Sequence, residues 1–269
     1  MIAMHNSLRV TPLIEELTRQ NLEFNIENAI DGTKIDLVNS DFWYQKKGTY
    51  ARLGYRISGP LLGCALSHKS IYSKESEIEE EWVLILEEDV RIQPNFRNSL
   101  LEVVSALPTT EAIVCQIFTR GERFIQKKSV FEISKGRFLY EFACIPGQTA
   151  AYLINRAALK LANLEEKLIG PPDWPNWAHN VTFYGTYPFL VIEDDAETSI
   201  GSPPISRASY WARVIQKVSL FHLLKFFKTY PSFLAYIKFE IKPMWNHFYW
   251  KTKRRPRFPE DARDGLWVI

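Results

Sequence analysis

The sequence predicts an α/β fold in which helices cover both faces of a largely parallel sheet, followed by a basic, aromatic, mainly helical C-terminal extension. Three observations carry this reading. Helix-like spacing alternates with short continuous apolar runs through residues 11–168. Hydrophobic residues make up 46% of the 269 and charged residues 24%, enough for a substantial core. The composition then changes at Pro203 and Pro204: residues 207–269 hold 13 Lys and Arg against 4 Asp and Glu, and 15 of the 37 aromatic rings. The body is therefore acidic although the chain as a whole is only +2. The expected organisation is a body over 1–203 and an extension over 204–269.

Thr11 and Pro12 read as a helix start, with Leu13, Ile14 and Leu17 on one face as far as about Gln20. Residues 22–27 alternate apolar and polar and predict a half-buried strand ending at Asp31 and Gly32. Leu62, Leu66 and Ile71 mark a helix over 61–76, and Trp82-Val83-Leu84-Ile85-Leu86 is a strand buried on both faces. Pro94 opens a helix through Leu100 and Val104, and residues 112–118 form another buried strand. Residues 129–133 and 137–145 flank a turn at Gly136 and predict a hairpin. A strand over 149–154 precedes a helix capped by Asn155 and reaching about Leu168. Residues 170–188, with Pro171, Pro172, Pro175 and Pro188, read as loop.

Several classes are excluded. The 3 cysteines, Cys64, Cys115 and Cys144, form no close pair, so neither a disulfide framework nor a CxxC metal site is expected, and a reducing compartment is the default. The N-terminus lacks a basic segment followed by an apolar stretch, and no window approaches the ~18 apolar residues of a spanning helix.

Glu87-Glu88-Asp89 carries the most chemistry. Three carboxylates directly after a buried strand sit at the carboxyl edge of the sheet, where open α/β folds bind ligands. Glu87 and Asp89 can converge on a divalent cation such as Mg²⁺ or Mn²⁺, which takes carboxylate oxygen and bridges a diphosphate. The same triplet also fits a solvated strand end. His68, within a helix, fits a packed residue better than a catalyst.

The triplet belongs to a longer pattern. Pro60-Leu61-Leu62-Gly63-Cys64-Ala65-Leu66-Ser67-His68 followed by Leu84-Ile85-Leu86-Glu87-Glu88-Asp89-Val90 resembles glycosyltransferase family 25, the lipopolysaccharide-biosynthesis transferases. Ala29-Ile30-Asp31-Gly32, the segment from Gly147 to Ile154, and the segment from Asp194 through Ser199-Ile200 are similar to further blocks of that family. The resemblance implies a GT-A-like, Rossmann-type catalytic domain, with a mixed and mostly parallel sheet. It also implies a UDP-sugar donor, with UDP-galactose favoured, a metal on Asp89 and Glu87, and inversion at the anomeric carbon. Asp31, Gly32, Glu88, Gln148 and Thr149 are the expected donor contacts. Asp173, the lone charged side chain between Lys167 and Glu193, is the expected base, beside Trp174 as a sugar-stacking ring, and equally fits a turn cap after Pro172; Asp194 and Asp195 are the alternative bases. This chain departs from the family's pattern in three places: a short or lost first strand, no carboxylate near Leu61, and Glu88 in place of a second aspartate.

In the extension, Phe221, Leu224, Phe227, Leu234, Ile237 and Ile241 recur at helical spacing among lysines, and a basic cluster runs from Lys251 to Arg257. This suggests an interfacial helix on an anionic membrane surface. The expected setting is the cytoplasmic face of a bacterial inner membrane, with a lipid-linked saccharide acceptor and no nucleic acid. A transferase fold that binds partners without turnover, or a basic nucleic-acid binder, are the competing classes.

Overall fold

The computed structural model describes residues 1–37, 44–45, 57–118, 123–125, 129–143, 145–170, 173–193 and 266–268. The extension, apart from 266–268, and Asp194 and Asp195 lie outside the described residues.

The chain opens with strand β1 (Ile2–Ala3), which pairs in parallel with β2 (Glu27–Asn28) and bridges Glu87 on its other side. The first strand is therefore short but present. Helix α1 (Val10–Arg19) begins one residue before Thr11, with Arg9 as a cap that offers no side-chain bond. Pro12 still falls in the first turn, where its missing N–H leaves no helical bond unmade. The expected strand over 22–27 is not one. Leu22 and Phe24 pack against the core as the alternation predicts, but strand pairing begins only at Glu27.

Helix α2 (Gly59–Tyr72) starts two residues before and ends four residues short of the expected 61–76, with a 3-10 turn at Glu75–Glu77 after it, and strand β3 (Trp82–Leu86) follows as expected. Strand β4 (Val90–Ile92) leads to helix α3 (Phe96–Ala106), which starts after Asn95 in the left-handed region (φ 63°) rather than at Pro94. Strand β5 (Ile113–Gln116) is buried throughout. Strand β6 (Arg123–Ile125) comes next, then β7 (Phe131–Ser134) and β8 (Arg137–Glu141), the expected hairpin turning at Gly136 (φ 75°). Strand β9 (Ala151–Asn155) feeds helix α4 (Arg156–Leu164), whose N-terminus Asn155 caps by accepting from the Ala158 N–H. Helix α4 stops short of Leu168, and the Glu165 carboxylate instead accepts N–H bonds from Ile169, Asn176 and Trp177.

The loop expected over 170–188 is also corrected. A 3-10 turn (Asn176–Asn180) is followed by β10 (Thr182–Tyr187), a strand in the interior of the sheet. Its sequence lacks an aliphatic run, and Gly185 accommodates the rings of Tyr140 and Phe142, which a Cβ there would meet at 2.7 and 2.8 Å. Strand β11 (Val191–Glu193) pairs with β4, and β12 (Leu266–Val268) pairs with β6.

The main sheet has the order β3-β9-β5-β10-β8-β7. Only β5–β10 is a parallel pair; the other neighbours are antiparallel because β9 and β8 run against the rest. The expectation of a mostly parallel sheet is thus replaced by a mixed one. Helices do cover both faces. Leu13 and Leu17 of α1 and Phe96, Leu100 and Val103 of α3 pack with Leu86, Ile113, Cys115 and Leu153. Ile71 and Tyr72 of α2 and Ala158, Leu159 and Ala162 of α4 pack with Ile85, Val114, Tyr152 and Ile154. Alternate residues of β3, β5 and β9 thus point into two separate cores, the period-two rule of a strand buried on both faces. Among the described residues, no helix is long and apolar enough to cross a membrane.

Asn155 ties three elements together at the far end of β9. Its Oδ1 accepts from the N–H groups of Ile113 and Ala158, and its Nδ2 donates to the Glu111 carbonyl. The Asn155→Ala substitution removes a helix cap and leaves buried backbone groups unpaired, so it should cost about 3 kcal/mol or more. Urea denaturation of the two proteins, compared at equal slope, measures this.

Candidate functional site

The site is built at the carboxyl end of β3. Strand alternation puts Glu87 in phase with Ile85, on the face covered by α2. Helix α2 reaches that edge by an unusually close backbone approach. A Cβ on Gly32 would lie 2.0 Å from the Gly59 carbonyl oxygen, and one on Gly63 would lie 2.5 Å from the Ile30 carbonyl oxygen. One turn further along, Ser67 Oγ accepts from the Ile30 N–H at 2.8 Å and donates to the Gly63 carbonyl at 2.7 Å. Gly59, Gly63 and Ser67 form the stripe that seats the turn through Asp31 and Gly32. Cys64 and His68, each one position further along, reach the end of β3.

His68 is buried, and both ring nitrogens are engaged. Nε2 lies 3.2 Å from Glu87 Oε1, and Nδ1 lies 2.8 Å from the Tyr152 hydroxyl, which in turn is 2.6 Å from the Tyr72 hydroxyl. Thr149 Oγ1 donates to the same Glu87 oxygen at 2.9 Å. Burial pushes the Glu87 carboxyl up, but the bonds from His68 and Thr149 and the charge of His68 together hold it below its ordinary value.

Its neighbours behave differently. Glu88 Oε2 accepts the Met4 N–H at 3.0 Å, fastening the exit of β1 to the acidic turn. Asp89 is pushed above the usual carboxylate range, first by burial and then by Glu87 and Glu88, and its Oδ1 is buried with no hydrogen-bond partner. A buried anionic oxygen without a donor, beside a second carboxylate, suits a hard divalent cation, so Asp89 and Glu87 fit the metal expected of them. Asp31 organises its own turn. Its Oδ1 accepts from the Thr33 N–H and hydroxyl, and those bonds lower its carboxyl.

These residues line a cleft of about 280 Å³, bounded by Ala3, Met4, Arg9, Asp31, Gly32, Pro60, Cys64, His68 and the Glu87-Glu88-Asp89 run. Of the expected site residues, Asp31, Gly32, Glu87, Glu88 and Asp89 line it, and Thr149 touches it through Glu87. Gln148 and Asp173 are not among its lining residues and pair with each other. The half-buried Asp173 Oδ2 accepts the Gln148 N–H at 2.9 Å, with Gln148 held at φ 70° by Gln116 Nε2 donating to the Gly147 and Gln148 carbonyls. Burial raises the Asp173 carboxyl.

The stacking role expected of Trp174 is not met. Trp174 is buried edge-on against Tyr152 and Phe183, and Trp177 against Tyr72, so both rings belong to the core. Conversely, sequence reasoning missed the partnership of Cys64, His68, Tyr72 and Tyr152 with Glu87. The i, i+4 spacing of Cys64 and His68 was the available signal.

The family model described as glycosyltransferase family 25 (LPS biosynthesis protein) matches residues 1–174. The chain belongs to glycosyltransferase family 25. The matched region contains the Asp31-Gly32 turn, the glycine stripe of α2, the acidic run, Gln148, Thr149 and Asp173. A curated relative, Procollagen galactosyltransferase 2 of Mus musculus, is 29% identical over 99 residues, which cover 34% of this chain. The chain spans about 15% of that relative's length. In this member of glycosyltransferase family 25 the motif glycines have a physical reason, the contact between α2 and the Asp31-Gly32 turn.

Gly63→Ala forces that contact apart against backbone atoms on the other side. It should lower stability by about 1–3 kcal/mol, the range for overpacking. A thermal or urea melt of the variant reads the loss.

Proposed function

We propose that this glycosyltransferase moves a hexose, galactose by preference, from a UDP-sugar to a lipopolysaccharide or lipooligosaccharide core acceptor, with inversion and with a divalent metal on Asp89 and Glu87. The observation that carries the reading is the unpartnered, buried Asp89 Oδ1 beside Glu87 in a cleft that also holds the Asp31-Gly32 turn. The galactosyltransferase activity named for the mouse relative supports galactose, and the family's link to LPS biosynthesis supports the acceptor class.

Mn²⁺ or Mg²⁺, when bound, offsets the charge that develops on the departing diphosphate. His68 and Thr149 hold Glu87 ionised and oriented, and Glu87 and Asp89 both line the cleft. Gly32 and the Thr33 turn offer backbone at the cleft wall for the nucleotide, and Glu88 and Met4, bonded to each other, also line it. Asp173 takes the proton of the acceptor hydroxyl as that oxygen bonds to the anomeric carbon and the bond to phosphate breaks on the opposite face. Its raised affinity for a proton suits a base, and the Gln148 amide fixes its orientation.

Purified protein incubated with UDP-sugars should release UDP from one of them with Mn²⁺ and lose that release with EDTA. Asp89→Ala should abolish metal-dependent donor binding. Asp173→Asn, whose amide oxygen can still accept from Gln148, should keep donor affinity and lower turnover by about 100-fold or more. Wild-type activity in Asp89→Ala would overturn the metal assignment.

The basic, aromatic extension supports a peripheral position at the cytoplasmic face of a bacterial inner membrane. Reversing Lys253, Arg254 and Arg255 to glutamate should weaken cosedimentation with anionic vesicles by roughly 1 kcal/mol or more per charge. Unchanged cosedimentation would remove the membrane proposal.

A further inference from the structure

Cys64 and His68 stand one helical turn apart on α2, and their ligating atoms and a Glu87 oxygen all lie within 4.8 Å of one another. We propose that these three side chains form a binding site for a thiophilic divalent cation of the zinc class, distinct in donor chemistry from the Asp89 oxygen site. Sulfur, imidazole nitrogen and a single carboxylate oxygen are a borderline-soft set, which selects zinc over magnesium or manganese.

The geometry is already close to that of a filled site. His68 Nε2 and Glu87 Oε1 are 3.2 Å apart. Bonds of about 2.0–2.1 Å to a tetrahedral ion place two such ligand atoms roughly 3.3 Å apart, so both can bind with little movement. The Cys64 side chain has one rotatable bond to bring its sulfur to the third vertex. All three residues line the cleft, which leaves the fourth vertex open to water or a ligand.

The shell behind the site supports this use. A cation needs a lone pair on His68 Nε2, which requires the proton on Nδ1, facing the Tyr152 hydroxyl at 2.8 Å. Tyr152 and Tyr72 are buried hydroxyls 2.6 Å apart, and each can donate or accept, so the pair accommodates either tautomer of the ring. On binding, His68 gives up its Nε2 proton to solvent and keeps the one on Nδ1, and the His68–Glu87 hydrogen bond is replaced by two metal bonds. The Cys64 S–H bond breaks, a metal–thiolate bond forms, and the proton leaves to solvent; no atom changes oxidation state. Because Glu87 belongs to both sites, a cation here competes with one on Asp89 and Glu87. That competition alone rests on the transferase reading.

The test reads the thiolate directly. Metal-free, full-length protein under reducing conditions is titrated with Co²⁺ and followed by absorption. The expected result is a thiolate-to-cobalt charge-transfer band with tetrahedral d–d bands, both lost on adding Zn²⁺. Cys64→Ser should lose the charge-transfer band and bind Zn²⁺ at least ~100-fold more weakly, since even outer-shell losses reach that size. On the wild-type chain, Zn²⁺ should also slow alkylation of Cys64, identified by peptide mass. Absence of a charge-transfer band in the wild type, the same band in Cys64→Ser, or alkylation of Cys64 indifferent to Zn²⁺ would each overturn the site. None of these readouts depends on sugar transfer, so transferase activity and the cation site stand or fall separately.

Discussion

Helix α2 reaches the edge of the sheet because nothing larger than a hydrogen atom stands between its first two turns and the backbone from Ile30 to Gly32. Everything at the site follows from that approach. With Gly59 and Gly63 against the turn, Ser67 is at hydrogen-bonding distance from the Ile30 amide, and the helical phase then points Cys64 and His68 at the end of β3. The turn itself is held by Asp31 accepting from Thr33, so a single backbone contact fixes two walls of the cleft. A larger residue at Gly32, Gly59 or Gly63 would separate the walls.

Three adjacent carboxylates would repel one another if they shared one environment, and the fold separates their roles by giving each a different one. Glu87 receives His68 and Thr149 and is held ionised. Glu88 is spent on the Met4 amide, a structural bond to the first strand. Asp89 receives no partner on Oδ1 and carries the cost of burial and of its neighbours' charge. A charge left in that state is destabilising in isolation and is relieved by a cation, which is how a binding site differs from a solvated acidic turn.

Much of this arrangement was legible in the residues. Continuous apolar runs identified β3 and β5, the Asn155 cap marked the β9–α4 junction, and Gly136 marked the hairpin, because each depends on neighbours in sequence. The strand over 182–187 was hidden by the prolines around it and by Gly185 in its middle, although Thr182, Phe183, Tyr184, Thr186 and Tyr187 are all strand-favouring residues. The alternation over 22–27 holds in burial at Leu22 and Phe24 but breaks at the exposed Ile26, and no partner strand is found until Glu27. At the site, Asp31, Gly32, Glu87, Glu88 and Asp89 were foreseen and do converge. The links from His68 to Tyr152 and from Tyr72 to Tyr152 join positions 84 and 80 residues apart, and no local pattern encodes them. Trp174 and Trp177 illustrate the opposite error: aromatic residues beside an acid resemble a sugar platform, but here they fill the space between β10 and α2.

The direction of β9 connects the main departure in the fold to the chemistry. A largely parallel sheet would bring the last residue of each strand to the acidic edge. Because β9 runs against β3, Ala151 pairs with Leu86 and Asn155 with Trp82, so it is the residues before β9 that meet the residues after β3. Glu87 accordingly donates its amide to the Ala150 carbonyl, and Thr149 reaches the Glu87 carboxylate. Gln148 and the Asp173 it binds are carried to the same end. With β9 parallel, those residues would sit a strand length away, roughly 16 Å for five residues, and Glu87 would lack the hydroxyl that helps keep it ionised. At the opposite end the same reversal delivers Asn155 to the start of β5 and of α4, where its one side chain closes both. One antiparallel strand thus assembles the functional edge and seals the structural one.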